Sequence, residues 1–399
     1  MGRTGTTGTL GARFWLIFAA STLTGIANSA SAPVLSRFAT DVLGGTSALA
    51  GLIVSVSSFV SIIVQPAAGA ATDRFGHKRV AIIGSILGAF GFAIILGATG
   101  AVDAATSRVV FGIGYAALGT AVMAWVISAV EPGNRGRALS LYGISIWLGL
   151  ALGPQIGETV YQAWGYQSVW VLCGIIQVAA LVCVLPAADP FRRIAAVVPA
   201  TRSSRARDWR SAFTAVARPG TVAALAWSGE GFLLAFLIVH LEHNGLSSDG
   251  LLGAASVFTV FAASVIGTRL LLGGLPDRVG PVRTATGSLV VLAAGMAILG
   301  YSYSFPVAAV GAVLMGTGFA PLYPALTMLA TATLDPARRG AGLGVFSAFT
   351  SIGYAAGAVL GGVVADLLGE NNAFLVVAAM QLLAIPILRS SWRGRPRSR

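Results

Sequence analysis

Glu230 falls where an ionised side chain is costly. Of the fourteen acidic residues in this 399-residue chain, it alone lies near the middle of a hydrophobic segment, between Gly229 and Gly231. A carboxylate in an apolar helix needs a partner or a proton. We therefore interpret Glu230 as a carboxyl group that exchanges a proton. Two other roles stay open: a structural hydrogen bond from a neutral carboxyl group, and a counter-charge for a bound cation.

Arg108 and Glu158 are two further charged residues in apolar segments. Such residues usually pair with one another or line a water-filled cavity. Both are expected near the same end of their helices, so we predict that they pair or share a water-filled cleft. Together with Glu230 they are the candidates for proton coupling. The alternative for Arg108 is an interfacial position, from which its long side chain reaches the lipid headgroups.

Seven polar or aromatic residues in apolar segments are candidates for lining a cavity between helices. The amides could equally form hydrogen bonds between helices, and aromatic residues more often anchor helix ends. Two prolines, Pro321 and Pro324, predict a break in the tenth helix. The seven candidates are Asn28, Gln65, Trp125, Trp147, Gln155, Trp227 and Tyr323.

No pattern typical of an enzyme or of a cofactor site is present. His240, Glu242 and His243 are clustered, but their spacing does not put all three on one helix face, and no fourth metal ligand is evident. We interpret this cluster as a solvated loop. The chain lacks a glycine-rich phosphate-binding loop, which argues against an ATP-driven process. We expect no cofactor and no metal.

The composition predicts that these residues lie within a lipid bilayer. Hydrophobic residues make up 56% of the chain and charged residues 10%, whereas soluble proteins carry about 25% charged residues. A bilayer-spanning helix needs about 20 apolar residues, so we predict an all-α membrane protein with twelve transmembrane helices. They are predicted at 14–35, 48–72, 80–100, 104–129, 138–162, 167–186, 217–241, 250–274, 284–304, 306–332, 341–367 and 372–389.

The basic residues predict the orientation. The net charge is +12, and arginine and lysine together number 26. If the amino terminus is cytoplasmic, 23 of the 26 lie on that side, and Arg37 alone lies on the other. The positive-inside rule then puts both termini in the cytoplasm, and the charge requires no nucleic-acid partner. Arg108 and Arg269 fall inside helices, and we expect Arg269 to reach the helix end through its long side chain.

The chain repeats itself at a distance of 204 positions. Without gaps, Gly112 falls on Gly316, and Pro132 falls on Pro336. Hydrophobicity alone does not align such residues. Two similar units in one orientation imply a parallel repeat about an axis along the membrane normal, an arrangement in which transporters place a substrate site between the halves. We predict bundles at 1–186 and 217–399, joined by a basic linker at 187–216.

The loop after the second helix carries a family resemblance. From Gly69 to Arg79 it resembles the signature of the major facilitator superfamily between helices two and three, and the segment from Gly273 to Arg283 resembles its copy between helices eight and nine. With the helix count and the repeat, the resemblance covers nearly the whole chain. It implies a charged latch that holds one conformation; the alternative is a solvated loop that only sets topology. The latch residues would be Gly69, Asp73, Arg74, Gly76, Lys78, Arg79, Gly273, Asp277, Arg278, Gly280 and Arg283.

The fifth helix carries a second resemblance. Its Gly149, Gly153, Pro154 and Gly157 resemble the antiporter motif of family members that export drugs and metabolites by exchange with protons. Glycines four residues apart form a smooth face for close helix packing, and packing without any meaning for direction is the alternative. The pattern departs from the family at Glu158, where a glycine is usual. Arg108 with the glycines that follow it resembles a helix-four motif of proton-coupled members.

These observations favour a proton-coupled exporter of a small organic molecule, such as a drug or a secondary metabolite. The mechanism would be rocking of the two bundles around a central cavity. An importer or facilitator of the same fold is the main alternative, and a membrane sensor or scaffold is a third. The expected partners are a small-molecule substrate, protons and the lipid bilayer. We expect a monomer in the inner membrane and no enzyme activity.

Overall fold

The structure is a computed structural model that describes residues 11–129, 135–187, 202–248, 250, 252–332 and 339–390. Within these ranges, the side chains of Asp73 and of residues 127–129, 135–141, 202–212 and 339–344 lie outside the description. The described residues form helices and short connections, and they contain no β-strand.

The described residues form twelve long helices. Arg135–Val184 contains two of them, α5 (135–164) and α6 (166–184), because the backbone reverses at Gly165, whose φ of 76° is readily adopted only by glycine. The others are α1 (Ala12–Arg37), α2 (Ser47–Phe75), α3 (His77–Leu96), α4 (Ala101–Ala129), α7 (Arg202–His243), α8 (Ser256–Leu272), α9 (Pro281–Gly300), α10 (Phe305–Thr331), α11 (Arg339–Leu368) and α12 (Glu370–Ser390).

The prediction of an all-α membrane protein is confirmed. Nine stretches of the described chain are long and apolar enough to cross a membrane, and one of them, Tyr142–Val184, holds most of α5 and all of α6. The helix α8 is a shorter apolar helix of 17 residues, and α1 has 26 residues.

Two details differ from the sequence-based boundaries. The helix α7 begins at Arg202, inside the segment expected to be linker. The helix α10 is continuous through Pro321 and Pro324, so the predicted break is absent. Packed transmembrane helices tolerate proline because neighbouring groups satisfy the freed carbonyls.

The packing of the first six helices recurs in the last six, which we call the first and second halves. In the first half α1 packs on α5, and α3 packs on α4; in the second half α7 packs on α11, and α9 packs on α10. Between the halves, α2 packs on α11 and α5 packs on α8. Two seams therefore join the halves around the centre of the molecule.

Glycines make the α1–α5 contact close. A methyl group added at Gly149 would lie 2.7 Å from the carbonyl carbon of Gly25, and one at Gly153 would lie 2.7 Å from Cβ of Ser29. An added Cβ at Gly357 would collide with the backbone of Ser228 in the equivalent contact of α11 with α7. The smooth glycine face predicted for the fifth helix is therefore a packing surface in both halves.

The two ends of the bundle differ. The turns α2–α3 and α8–α9 lie at one end, which we call the basic end. Gly76 and Gly280 both have φ of 93° there, so the two turns share one backbone shape. The turns α1–α2, α5–α6 and α7–α8 lie at the other end, called the opposite end.

Candidate functional site

A cavity of about 210 Å³ lies between the two halves. Its walls come from α1, α2, α4 and α5 of the first half and from α7 and α11 of the second. Its lining combines two tryptophans with many hydroxyl groups and two charged side chains. The polar and aromatic lining residues are Asn28, Ser29, Ser57, Ser58, Ser61, Gln65, Arg108, Tyr115, Trp147, Trp227, Glu230, Thr350, Ser351 and Tyr354.

Glu230 lines this cavity from the middle of α7. Close packing holds its helix in place, since a Cβ at Gly231 would collide with the backbone of Tyr354, and one at Gly229 would collide with the amide of Gln381. No hydrogen bond or ion pair within the described part of the chain involves the Glu230 carboxyl group. The carboxyl group is therefore free to bind a proton or a ligand from the cavity.

Arg108 reaches the same cavity from α4 and is 3% exposed. Its Nη2 donates to Oγ of Ser57 at 3.0 Å and to Oδ1 of Asn28 at 3.4 Å, and its Nη1 donates to Oγ of Ser31 at 3.4 Å. The guanidinium also stands 4.6 Å from the ring centre of Phe111. Its acceptors are all neutral, so the predicted pairing of Arg108 with Glu158 is not formed.

Glu158 pairs instead with Arg37. The distance from Oε1 to Nη2 of Arg37 is 3.0 Å, and the Glu158 side chain is completely buried. Nε2 of Gln162 donates to the same oxygen at 3.0 Å. Arg37 also forms an ion pair with Glu242 at the end of α7, and its guanidinium lies over the ring of Tyr161 at 4.9 Å. One cation thus bridges carboxyl groups from both halves.

Other polar contacts close both seams at the opposite end. Across the α5–α8 seam, Gln162 donates to Oγ of Ser248 at 2.6 Å, and the Gln155 amide oxygen accepts from Oγ of Ser256 at 2.8 Å. Across the α2–α11 seam, Asp366 accepts from the backbone N–H groups of Ser47 and Ala48 at 2.9 and 2.8 Å. A carboxylate at a helix N-terminus is stabilised by the exposed N–H groups. These contacts join the two halves along both seams at this end of the molecule.

The histidine cluster lies at the end of α7 and is only partly solvated. His240 is 1% exposed, and its Nδ1 lies 3.4 Å from Glu370, while Nδ1 of the exposed His243 lies 3.1 Å from the same carboxylate. The prediction of a solvated loop is therefore wrong for His240, which is buried, whereas His243 is solvated as predicted. The described residues contain no group of three or more histidine, cysteine or acidic side chains arranged to hold a metal ion.

The cavity includes four of the seven residues proposed to line it: Asn28, Gln65, Trp147 and Trp227. Trp125 is completely buried and stacks on His77 near the basic end, so it does not line the cavity. Gln155 also lies outside the lining, because it contacts the α7–α8 connection and the start of α8.

Tyr323 also lies outside the cavity lining. Its ring centre lies 5.8 Å from that of Trp227, and Tyr323 itself is exposed. Arg269 lies in the last turn of α8, near the helix end as expected, and its guanidinium stands 5.7 Å from the ring centre of Trp147 on α5.

Sequence reasoning missed much of the lining. On α2 the missed residues Ser57 and Ser61 precede Gln65 at intervals of four, a polar stripe on an otherwise apolar helix. Residues four apart share a helix face, so this spacing was a usable signal. Tyr115 and Tyr354 gave no such signal, because a tyrosine in a helix is equally compatible with an interfacial anchor.

The residues proposed as a latch lie at the basic end. Arg74 lies over the ring of Phe75 at 5.1 Å, Lys78 donates to the carbonyl of Leu185, and Arg79 is exposed. A Cβ added at Gly69 would lie 3.9 Å from Cγ2 of Thr120, an ordinary van der Waals contact, so α2 and α4 do not require a glycine there. The side chain of Asp73 lies outside the described atoms.

In the second copy of the loop, Gly273 ends α8, and Asp277 and Arg278 lie in a one-turn helix, Leu275–Val279. Asp277, Arg278 and Arg283 are all exposed. The two loops thus share a turn geometry, and in the second copy the three charged side chains are exposed to solvent.

The sequence profile of the Major Facilitator Superfamily matches residues 17–286 and 250–399. The chain belongs to this superfamily. The family predicted from the loop signatures is therefore confirmed. Members of the superfamily are transporters, so this protein is a multi-pass membrane transporter of a small molecule and not an enzyme.

Relatives and solved structures agree with this placement. The uncharacterized MFS-type transporter YhhS of Escherichia coli is 28% identical over 375 residues, which cover 91% of this chain and 88% of YhhS. An uncharacterized MFS-type transporter of Burkholderia pseudomallei is 32% identical over 354 residues, 86% of this chain and 83% of that protein. The nucleoside transporter NupG has a TM-score of 0.76 at 14% identity, covering 96% of this chain and all of NupG. At that identity the likeness shows the fold.

Proposed function

We propose that this transporter exports a small organic molecule, such as a drug or a secondary metabolite, in exchange for protons. The observation that carries the proposal is the Glu230 carboxyl group, which lines the cavity between the halves and forms no hydrogen bond or ion pair with the residues that the structure describes. Burying a carboxylate costs much more free energy than burying a neutral carboxyl group. Proton binding at Glu230 therefore lowers the free energy of the conformation in which the cavity is closed to both sides of the membrane.

The basic end is the cytoplasmic end in this proposal. Most of the basic residues lie in its loops and in the termini, as the positive-inside rule requires of a cytoplasmic surface. The contacts made by Arg37, Gln162 and Asp366 then close the cavity towards the outside. Transport follows when bundles 1–186 and 217–399 rock about the cavity, with the latch loops at the basic end holding the alternative state.

The membrane potential supplies part of the energy. One proton moving inward is worth about 2.3 kcal/mol per 100 mV. The helix-five glycines support the antiporter assignment only through resemblance, since in the structure they pack α5 against α1. Glu158 belongs to the closed end in this scheme, because Arg37 neutralises it there.

The export proposal is tested in a bacterial strain that lacks its own drug efflux pumps. Cells expressing the transporter are exposed to a defined library of antibiotics, dyes and aromatic acids, and intracellular amounts are measured by mass spectrometry. We expect at least one compound to accumulate less than in cells without the transporter. A protonophore should abolish the difference, and so should Glu230→Gln, which keeps the shape of the side chain but cannot titrate.

The matched control is Asp103→Asn, the same type of change at a carboxylate that caps the start of α4 through Thr99 and Gly100, away from the cavity. It should leave export intact. Greater accumulation in cells with the transporter would show import and overturn the proposed direction. Export that persists unchanged in Glu230→Gln would remove Glu230 from coupling.

A further inference from the structure

Arg108 is a buried cation without a counter-ion. The described residues place no carboxylate within ion-pair distance of its guanidinium, and its Nε has no hydrogen-bond partner. Two of its three hydrogen bonds, to Ser31 and Asn28, are 3.4 Å long, near the limit for such bonds. A buried charge is normally paired, so the site is incomplete without an anion.

The cavity is the open space that this cation faces. Arg108 lines it from the first half, and Trp227 lines it from the second. Trp147 forms part of the same wall on α5. A guanidinium binds carboxylate groups through paired hydrogen bonds, and indole rings supply a flat apolar surface. The site therefore combines a group for an anionic head with surfaces for an apolar body.

We propose that the transported molecule is an organic anion, whose acidic group binds Arg108 and whose apolar or aromatic body packs against Trp147 and Trp227. This inference rests on the proposed function only in taking the cavity as the transport site. An apolar protein cavity of about 150 Å³ binds benzene, so the cavity of about 210 Å³ has room for a single aromatic ring with a short acidic side chain.

The alternative is that Arg108 is structural and only ties α4 to α1 and α2. Both readings predict that its removal affects stability, so the decisive comparison is made on the unchanged protein. The full-length transporter is purified in detergent and titrated by calorimetry with phenylacetate, phenylacetamide, phenethylamine and acetate. The first two have nearly the same shape and differ in charge. Acetate carries the charge without the aromatic body.

We expect phenylacetate to bind about tenfold to a hundredfold more tightly than phenylacetamide, the range of a hydrogen bond to a charged group. Acetate should bind at least about tenfold more weakly than phenylacetate, because it leaves the apolar wall empty. Equal binding of phenylacetate and phenylacetamide, tightest binding of phenethylamine, or no binding of phenylacetate would overturn the proposal. Acetate that binds as tightly as phenylacetate would indicate a site for small anions in general, and this result would also overturn the proposal.

Variants locate the anion group. Arg108→Gln should remove the preference for phenylacetate over phenylacetamide, and Arg108→Lys should keep part of it, because lysine retains the charge but not the planar fork. Arg389→Gln removes an exposed arginine at the end of α12 and should bind phenylacetate as the unchanged protein does. A preference that survives in Arg108→Gln, in protein that melts cooperatively, would assign the anion group elsewhere and refute the role of Arg108.

The binding measurement separates this inference from the export proposal. Phenylacetate binding that depends on Arg108, with no proton-linked movement of any compound, would refute proton-coupled export and leave the anion site standing. Proton-linked export that depends on Glu230, with no preference for phenylacetate, would do the reverse.

Discussion

Arg37 binds two carboxyl groups that come from different halves of the chain. Its partner Glu158 is completely buried, and its partner Glu242 is partly exposed at the end of α7. Removing one member of a buried ion pair leaves the other charge uncompensated, which costs more than the pair itself contributes. Arg37 thus has separate roles in stability, through Glu158, and in closing the opposite end, through Glu242.

Arg37→Gln should destabilise the protein by about 3–5 kcal/mol, because the Glu158 carboxylate loses its cation while it stays buried. The thermal melting temperature in detergent measures the loss. The double variant Arg37→Gln with Glu158→Gln should melt above the single variant, since both charges are then gone. Equal melting of the single and double variants would show that the loss does not come from an uncompensated Glu158 carboxylate.

Glu242→Gln should favour opening of the opposite end, because it breaks the ion pair that joins the halves there. An ion pair that is partly exposed contributes about 1 kcal/mol. We therefore expect the fraction of molecules whose opposite end is open to rise about fivefold. The measurement uses Ser61→Cys on the cavity wall, with Cys173→Ser and Cys183→Ser, labelled by a membrane-impermeant maleimide added outside cells.

Glu370→Gln is the matched control for the labelling experiment. It removes an acid from the same end but breaks contacts with His240 and His243, which lie in the same half as Glu370. Labelling of the cavity should stay at its original rate. If Glu370→Gln raised labelling as much as Glu242→Gln, closure of the opposite end would not depend specifically on the Arg37–Glu242 pair.

Single residues differed in how far the sequence revealed them. Glu230 stood out because it is a lone acid in an apolar segment, and the structure puts it in the cavity. Arg37 did not stand out, because it lies at the end of α1 and its partners are 121 and 205 positions away. Local pattern identifies a costly charge, whereas its partner depends on the packing of distant helices.

At the scale of helices, the glycine faces are contact surfaces rather than hinges. Gly153→Ala should destabilise the protein by about 1–3 kcal/mol, because its Cβ would lie 2.8 Å from the backbone oxygen of Ile26. Gly267→Ala is the control, since nothing lies within 4 Å of its added Cβ. It should leave the melting temperature unchanged or raise it, because alanine favours helix. Equal losses in both variants would contradict close packing as the cause.

The elements themselves were largely predictable, because a stretch of apolar residues long enough to cross lipid has few alternatives to a helix. The boundaries of the helices were less predictable. The start of α7 at Arg202 precedes its apolar part, where hydropathy gives no signal. The continuity of α10 through Pro321 and Pro324 depends on neighbours that the local sequence does not reveal.

For the whole molecule, the 204-position repeat predicted that the helix contacts of one half recur in the other. It did not predict that the two halves carry different charged residues. The positions equivalent to Glu230, Glu158 and Arg37 are Ile26, Gly362 and Leu241. The charged groups of the cavity and of the closed end thus have no copies in the other half. Similar backbones conserve helix contacts, while single side chains decide what each half binds.

The orientation is tested by fusing green fluorescent protein or alkaline phosphatase to the chain. Fusions at the carboxyl terminus should fluoresce and lack phosphatase activity, because this terminus is proposed to be cytoplasmic. Fusions placed after Gly245, in the α7–α8 connection at the opposite end, should show phosphatase activity and no fluorescence. The reverse pattern would invert the topology and turn the closed end towards the cytoplasm.

The two seams at the opposite end are held by different kinds of hydrogen bond. Asp366 holds the start of α2 with a full negative charge, and Gln162, its counterpart 204 positions earlier, holds Ser248 with a neutral amide. Of these two bonds, only the one made by the Asp366 carboxylate is lost when the accepting group is protonated. We therefore expect acid to loosen the α2–α11 seam before the α5–α8 seam.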